Sequence, residues 1–231
     1  MMDRYLARSR WIVAVALGFC CLGCVGLLWI RQGTSRTAGM GSLVWNLFLA
    51  AVPFPLAWGV DALTRRRRDW PALPLGIAWL LFFPNAPYLV TDLVHLEKVD
   101  GVPLWFDALV FGAFAVTGVL LGYVSLYLIQ ISLRRRFGHI VAAAVALASI
   151  GLGGYGLYLG RVERWNSWDV LGRPGVLARA VTGHLTNPRS NPGAWKYSFS
   201  FALFLVAGYL VLWALVAVVV ADERTRTDPV R

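Results

Sequence analysis

Six long apolar runs divide this chain and leave it few ways to fold. They cover about 11–30, 41–63, 70–92, 104–133, 140–160 and 197–221. A hydrocarbon layer ~30 Å thick needs about 20 helical residues to cross it. The expected fold is therefore all-α, a polytopic membrane bundle of six transmembrane helices in one domain over 1–231. Only 15% of the 231 residues are charged and 58% are hydrophobic, against about 25% charged in a typical soluble domain. The connections are short. The longest, Arg161 to Lys196, is too short to build a core of its own.

Net charge is +10. In a soluble chain this would suggest nucleic acid, but here the basic residues cluster at the ends of the runs, where they set orientation. Nucleic acid is excluded as a partner on that ground; the lipid bilayer is the expected one. Thirteen basic residues fall on one side: Arg4, Arg8 and Arg10, then Arg65 to Arg68, Arg134 to Arg136, and Arg224, Arg226 and Arg231. Outside the long fifth connection the other side has three, Arg31, Arg36 and Lys98. Both termini are thereby assigned to the cytoplasm. Trp11, Trp29, Trp45, Trp70, Trp105, Trp165, Trp168 and Trp195 stand near run ends and suit an interfacial belt. Cys20, Cys21 and Cys24 are too local for a disulfide framework or a zinc site, and a retained first helix is expected in preference to a cleaved lipoprotein signal.

The third run interrupts itself. Pro84 and Pro87 remove helix donors and crowd the carbonyls four residues back. Asn85 is placed to cap a second half-helix with Pro87 in its first turn. The expected result is a helix broken at Pro84–Pro87, with a polar pocket at the break of the kind transporters use. Asp92 and His95 follow, three residues apart on one face. They are the candidate catalytic pair, as general acid and base. They also suit a divalent metal with Asp107 or Asp169, or an ion pair between Asp92 and Arg161 or Arg164; metal identity and cofactors stay open. On the same side lie Asn46, Asp107, and the run Arg161, Arg164, Asn166, Ser167, Asp169. Paired arginines suit phosphate or carboxylate, so Asn46, Asn85, Asp107, Arg161, Arg164, Asn166 and Asp169 are candidate ligand-binding residues.

Residues 174–187 read as an interfacial amphipathic helix. Val176, Leu177, Ala180, Val181 and Leu185 form its apolar stripe, with Arg179 and His184 away from it. Gly118 and Gly122, and the glycines from Gly151 to Gly160, are spaced for close helix packing. Asp61, beside Arg65, reads as a local pair.

Two strings are specific. Pro84-Asn85-Ala86-Pro87-Tyr88 with Thr91-Asp92 and His95-Leu96 is one. Tyr158-Leu159-Gly160-Arg161 with Arg164-Trp165-Asn166-Ser167-Trp168-Asp169 is the other. They resemble the signature blocks of a bacterial integral-membrane family catalogued as domain of unknown function 1361, over about Gly41 to Ala221. The resemblance implies a multi-pass protein of a bacterial cytoplasmic membrane and carries no activity with it. Three functions stay open. The first is a polar extracytoplasmic site that binds or processes an anionic, lipid-linked envelope molecule. The second is a non-enzymatic scaffold or accessory subunit whose outer polar network is structural. The third is a small transporter, against which stands the lack of ionisable residues near mid-span; a homo-oligomer could still form a path between subunits. The residues do not choose between an enzyme and a binding protein.

Overall fold

The computed structural model describes residues 2–34, 41–98 and 101–227, with side chains over 10–33, 41–98 and 101–220. Arg4, Arg8, Arg36, Arg224, Arg226 and Arg231, which enter the charge count, have side chains outside these residues. Among the described residues every regular element is helical. Five helices are long and apolar enough to cross a membrane. Contacts divide the chain into two units, Met1–Ala142 and Ala143–Arg231.

In the first unit, α1 runs Met2–Thr34, α2 Gly41–Ala51 and α3 Pro53–Arg65. The second apolar run is thus two α-helical pieces. Pro53 and Pro55 lack the N–H groups that would have continued the ladder, while Val52 keeps helical dihedrals, φ −56° and ψ −42°. The third run divides as well. α4 spans Asp69–Phe82, α5 Asn85–Tyr88, and a 3-10 segment Leu89–His95 follows. Phe83 and Pro84 stay in the right-handed region. The winding therefore changes at the prolines while the backbone remains helical. Asn85 does not cap α5 as expected: its amide donates to the Phe82 carbonyl at 3.0 Å. That carbonyl needs a partner because the Ala86 N–H turns to Phe83 instead, at 3.2 Å.

This segment is the packed centre of the unit. Phe83, Ala86 and Leu89 are all but fully buried. The helix α6, Leu104–Arg161, receives them. A Cβ added to Gly118 would strike the Ala86 carbonyl oxygen and lie 2.8 Å from Leu89 Cδ1; at Gly122 it would lie 3.2 Å from Ala86 Cβ. The Gly118/Gly122 pair is therefore the groove in which the proline segment lies. α1 packs through Leu17, Cys24 and Leu28 into the cluster formed by Leu43, Leu47, Val110 and Phe114.

The fourth and fifth runs are joined without a loop. Arg134 to Arg136 are helical, and the non-helical residue is Gly138, at φ 84° and ψ 178°, a conformation residues with a Cβ rarely adopt. In the second unit, the part of α6 beyond Ala142 is followed by α7 at Asp169–Gly172, α8 at Pro174–Thr186 and α9 at Pro192–Thr227. Gly154 faces the Ser198 carbonyl and Ala202 on α9, whereas Gly151 meets nothing. The long helices turn large apolar side chains outward, among them Phe19, Leu22, Ile77, Val116 and Phe199.

Gly118→Ala should destabilise the detergent-solubilised protein by about 1–3 kcal/mol, the usual range for overpacking. Gly112→Ala, on the same helix with nothing within 4 Å of the new Cβ, should leave the melting temperature unchanged or raise it. Equal effects at the two positions would contradict the close packing of Gly118 on Ala86.

Candidate functional site

The polar residues of the first unit are engaged with one another. Asp107 stands in the first turn of α6 and Arg31 in the last turn of α1. Each charge suits the dipole of its own helix end. The guanidinium meets the carboxylate in a fork, Nε to Oδ1 at 2.8 Å and Nη2 to Oδ2 at 3.1 Å. Arg31 is 0% exposed and Asp107 2%. Arg31, counted in the sequence as a loop charge, is a core residue, and the Asp107 carboxylate has both oxygens filled. Asp92 is buried, and its Oδ2 accepts from the Asn46 amide at 3.0 Å. The structure therefore joins Asn46 to Asp92. His95, one turn on, is exposed.

Asp61 is more than a local pair with Arg65. It is 0% exposed, and guanidiniums from three stretches of chain converge on it. Arg10 lies 2.5 Å from Oδ2, Arg65 3.2 Å from Oδ2, and Arg135 2.6 Å from Oδ1. Ser132 Oγ lies 3.2 Å from Oδ1.

The second unit holds a different arrangement. α6 ends at Arg161, and Arg164 beyond it has φ 62°, so these arginines are not two positions of one helix. Arg164 is exposed. The Asp169 carboxylate caps the turn, taking the Asn166 N–H at 2.8 Å and the Arg173 Nη2 at 2.8 Å. These two donors hold it below the ordinary aspartate value of 3.8. Arg173 also lies over the Trp165 ring, 5.3 Å from its centroid.

On α8 the stripe runs differently from the sequence expectation. Val176 and Leu185 are exposed, while Leu177, Ala180 and Val181 are partly covered and His184 is buried. His184 thus completes the inward face at i, i+3, i+4 and i+7 and does not stand away from it. Its Nε2 is 2.8 Å from Glu163 Oε1 and its Nδ1 2.8 Å from the Tyr155 hydroxyl. An ionised carboxylate only accepts, so Nε2 carries a proton toward Glu163, while Nδ1 and the Tyr155 hydroxyl share the second hydrogen bond. Glu163 Oε2 accepts from Trp165 Nε1 at 3.0 Å. Tyr155 and Tyr158 present edge-to-face contacts to the imidazole, and Tyr158 stacks on Tyr197. A Tyr–His–Glu chain of this kind can pass a proton along its length. Its signals in the sequence were the Tyr155/Tyr158 pair at i, i+3 and the continuation of the α8 stripe to position 184.

Among the described residues no group of three or more His, Cys, Asp or Glu side chains stands ready for a metal ion. The model of the family described as protein of unknown function (DUF1361) matches residues 45–208, well over half of the chain. The chain belongs to the DUF1361 family. No curated protein and no solved structure matches it. The DUF1361 match contains Asn46, Asp61, Asp92, Asp107, Glu163 and His184. It leaves out Arg10 and Arg31, so Asp61 and Asp107 each take a countercharge from outside it.

Asp107→Asn should cost about 3–5 kcal/mol, because it strands a buried guanidinium. The double change Arg31→Leu, Asp107→Leu should recover most of that loss in the same denaturation assay. The Asp169 contribution has the sign of a lowered carboxylate. It is fully present above the unfolded value and fades as pH falls through the lower folded one. The Asp169 carboxyl carbon should titrate below 3.8 by NMR, and Arg173→Gln should move that midpoint upward.

Proposed function

We propose that this chain is a six-span protein of a bacterial cytoplasmic membrane which binds or processes an anionic, lipid-linked envelope molecule at its extracytoplasmic face. Gly138 supports the span count, because it divides α6 into stretches 104–137 and 139–161, each long enough to cross. The charge distribution of the short connections supports the orientation, with the arginine-rich ends cytoplasmic.

One observation carries the functional reading. Between Arg161 and Lys196 there are six basic residues and two acidic ones, and both acids are occupied internally, Glu163 by His184 and Trp165, and Asp169 by Arg173 and the Asn166 N–H. The surplus positive charge, with Arg164, Arg179 and Arg189 exposed, faces outward beside an apolar bundle. That combination attracts an anion tethered to lipid. Arginine recognises phosphate through several donors at once, and the Tyr155–His184–Glu163 chain supplies a proton-transfer group in the same unit. A structural role is favoured for Asn46, Asp92 and Asp107, whose polar groups are engaged with Asp92, Asn46 and Arg31.

Mass spectrometry of the full chain purified in mild detergent tests this. The wild type should retain an anionic, phosphorus-containing molecule. The variant Arg164→Gln with Arg179→Gln should lose most of it at an unchanged melting temperature. His184→Asn should retain it in unprocessed form. Equal recovery from the wild type and the double arginine variant would sink the proposal.

A further inference from the structure

At one end of the first unit, around Asp61, arginine side chains cluster. A cleft of about 250 Å³ opens there, lined by Thr64, Arg65, Arg67, Ser132, Arg135 and Arg136. Buried Asp61 beneath it draws in Arg10, Arg65 and Arg135. One carboxylate gathers three guanidiniums, whose side chains remain 20%, 32% and 36% exposed. Each meets Asp61 through one nitrogen, and a guanidinium carries five N–H donors. Arg136 is paired with Asp69 at 2.7 Å. Four guanidiniums thus meet two carboxylates at this end, and Arg67 lines the same cleft. The Thr64 and Ser132 hydroxyls donate inward, to Val60 and Leu128 carbonyls, so the arginines supply the donors that face the cleft.

Arg67 adds an independent observation. The chain leaves α3 through a Schellman turn, with Arg68 N–H on the Leu63 carbonyl at 3.0 Å and Arg67 N–H on Thr64 at 3.1 Å. The residue that closes such a turn is left-handed and is usually glycine. Here it is Arg67, at φ 56°. A long cationic side chain occupies the position least suited to it, and that side chain lines the cleft.

We infer that this cleft binds a phosphate group. The surplus of charge and of planar donors matches a multiply charged anion with several acceptor oxygens. A phosphate monoester, inorganic phosphate and a phospholipid headgroup all carry this chemistry, and the volume admits each. The site is separate from the one proposed for residues 161–196 and does not depend on it.

Arg67→Gly provides the test, because it relieves the left-handed turn while removing a guanidinium. The melting temperature of the full chain in detergent is measured with added inorganic phosphate, with phosphatidylglycerol, and with phosphatidylcholine as the zwitterionic control, whose phosphate is neutralised by its own ammonium. A rise with phosphate alone identifies a soluble anion as the ligand, and a rise with phosphatidylglycerol identifies a lipid headgroup. In Arg67→Gly the ligand-free protein should melt no lower than the wild type, and the apparent affinity should fall about tenfold or more, as expected for a lost charged hydrogen bond. No rise with either phosphate compound, or a rise undiminished in Arg67→Gly, overturns the inference.

Discussion

A carboxylate taken out of water must be given a countercharge or hydrogen-bond donors, or the fold does not hold it. Asp107 and Asp61 meet that condition at the two ends of α1. Arg31 forks onto Asp107 near one end, and Arg10 reaches Asp61 near the other. The two arginines are separated by a helical rise of about 30 Å, since each residue advances ~1.5 Å. This equals the thickness of a bilayer's hydrocarbon core. α1 is therefore clamped to the rest of the first unit at both limits of its apolar length, and between them Cys24 Sγ meets Thr117 Oγ1 at 3.2 Å.

These clamps decide what the nearby polar residues are free to do. With Asp107 filled by Arg31 and Asp92 bonded to Asn46, the first unit is held together by the residues that looked most like a site. The proline segment contributes through shape. Its change from α to 3-10 winding brings Ala86 and Leu89 against Gly118, where an added Cβ would strike the Ala86 carbonyl, and against Gly122, where it would fit only tightly. The second unit has the less constrained polar chemistry: a buried imidazole bonded on both nitrogens, and exposed cations at Arg164, Arg179 and Arg189.

Much of the fold could be read from local pattern. Long apolar runs specify helices because nothing else satisfies the backbone in lipid, and α8 begins at Pro174 and α9 at Pro192 as helix-start chemistry prefers. Asn85 was harder. A cap needs an acceptor at the right dihedral, but Pro84 and Phe83 stayed helical, so the amide donated backward instead. His184 was harder still. Its ring is polar by composition yet packs between tyrosines, and whether it faces in or out depends on partners 21 and 29 residues away. Arg31 read as a loop charge because its partner lies 76 residues downstream.

By itself the sequence determined an all-helical chain with apolar segments long enough to cross a membrane, its family, and the helix-packing role of Gly118, since each follows from periodicity, run length or a specific string. Only the tertiary structure decided which side chains engage each buried carboxylate, that Arg67 occupies a glycine position beside an arginine-lined cleft, and that His184 is buried between Tyr155 and Glu163. Those outcomes rest on contacts between side chains far apart in sequence, and local pattern carries no record of which distant charge will be within reach when the helices pack.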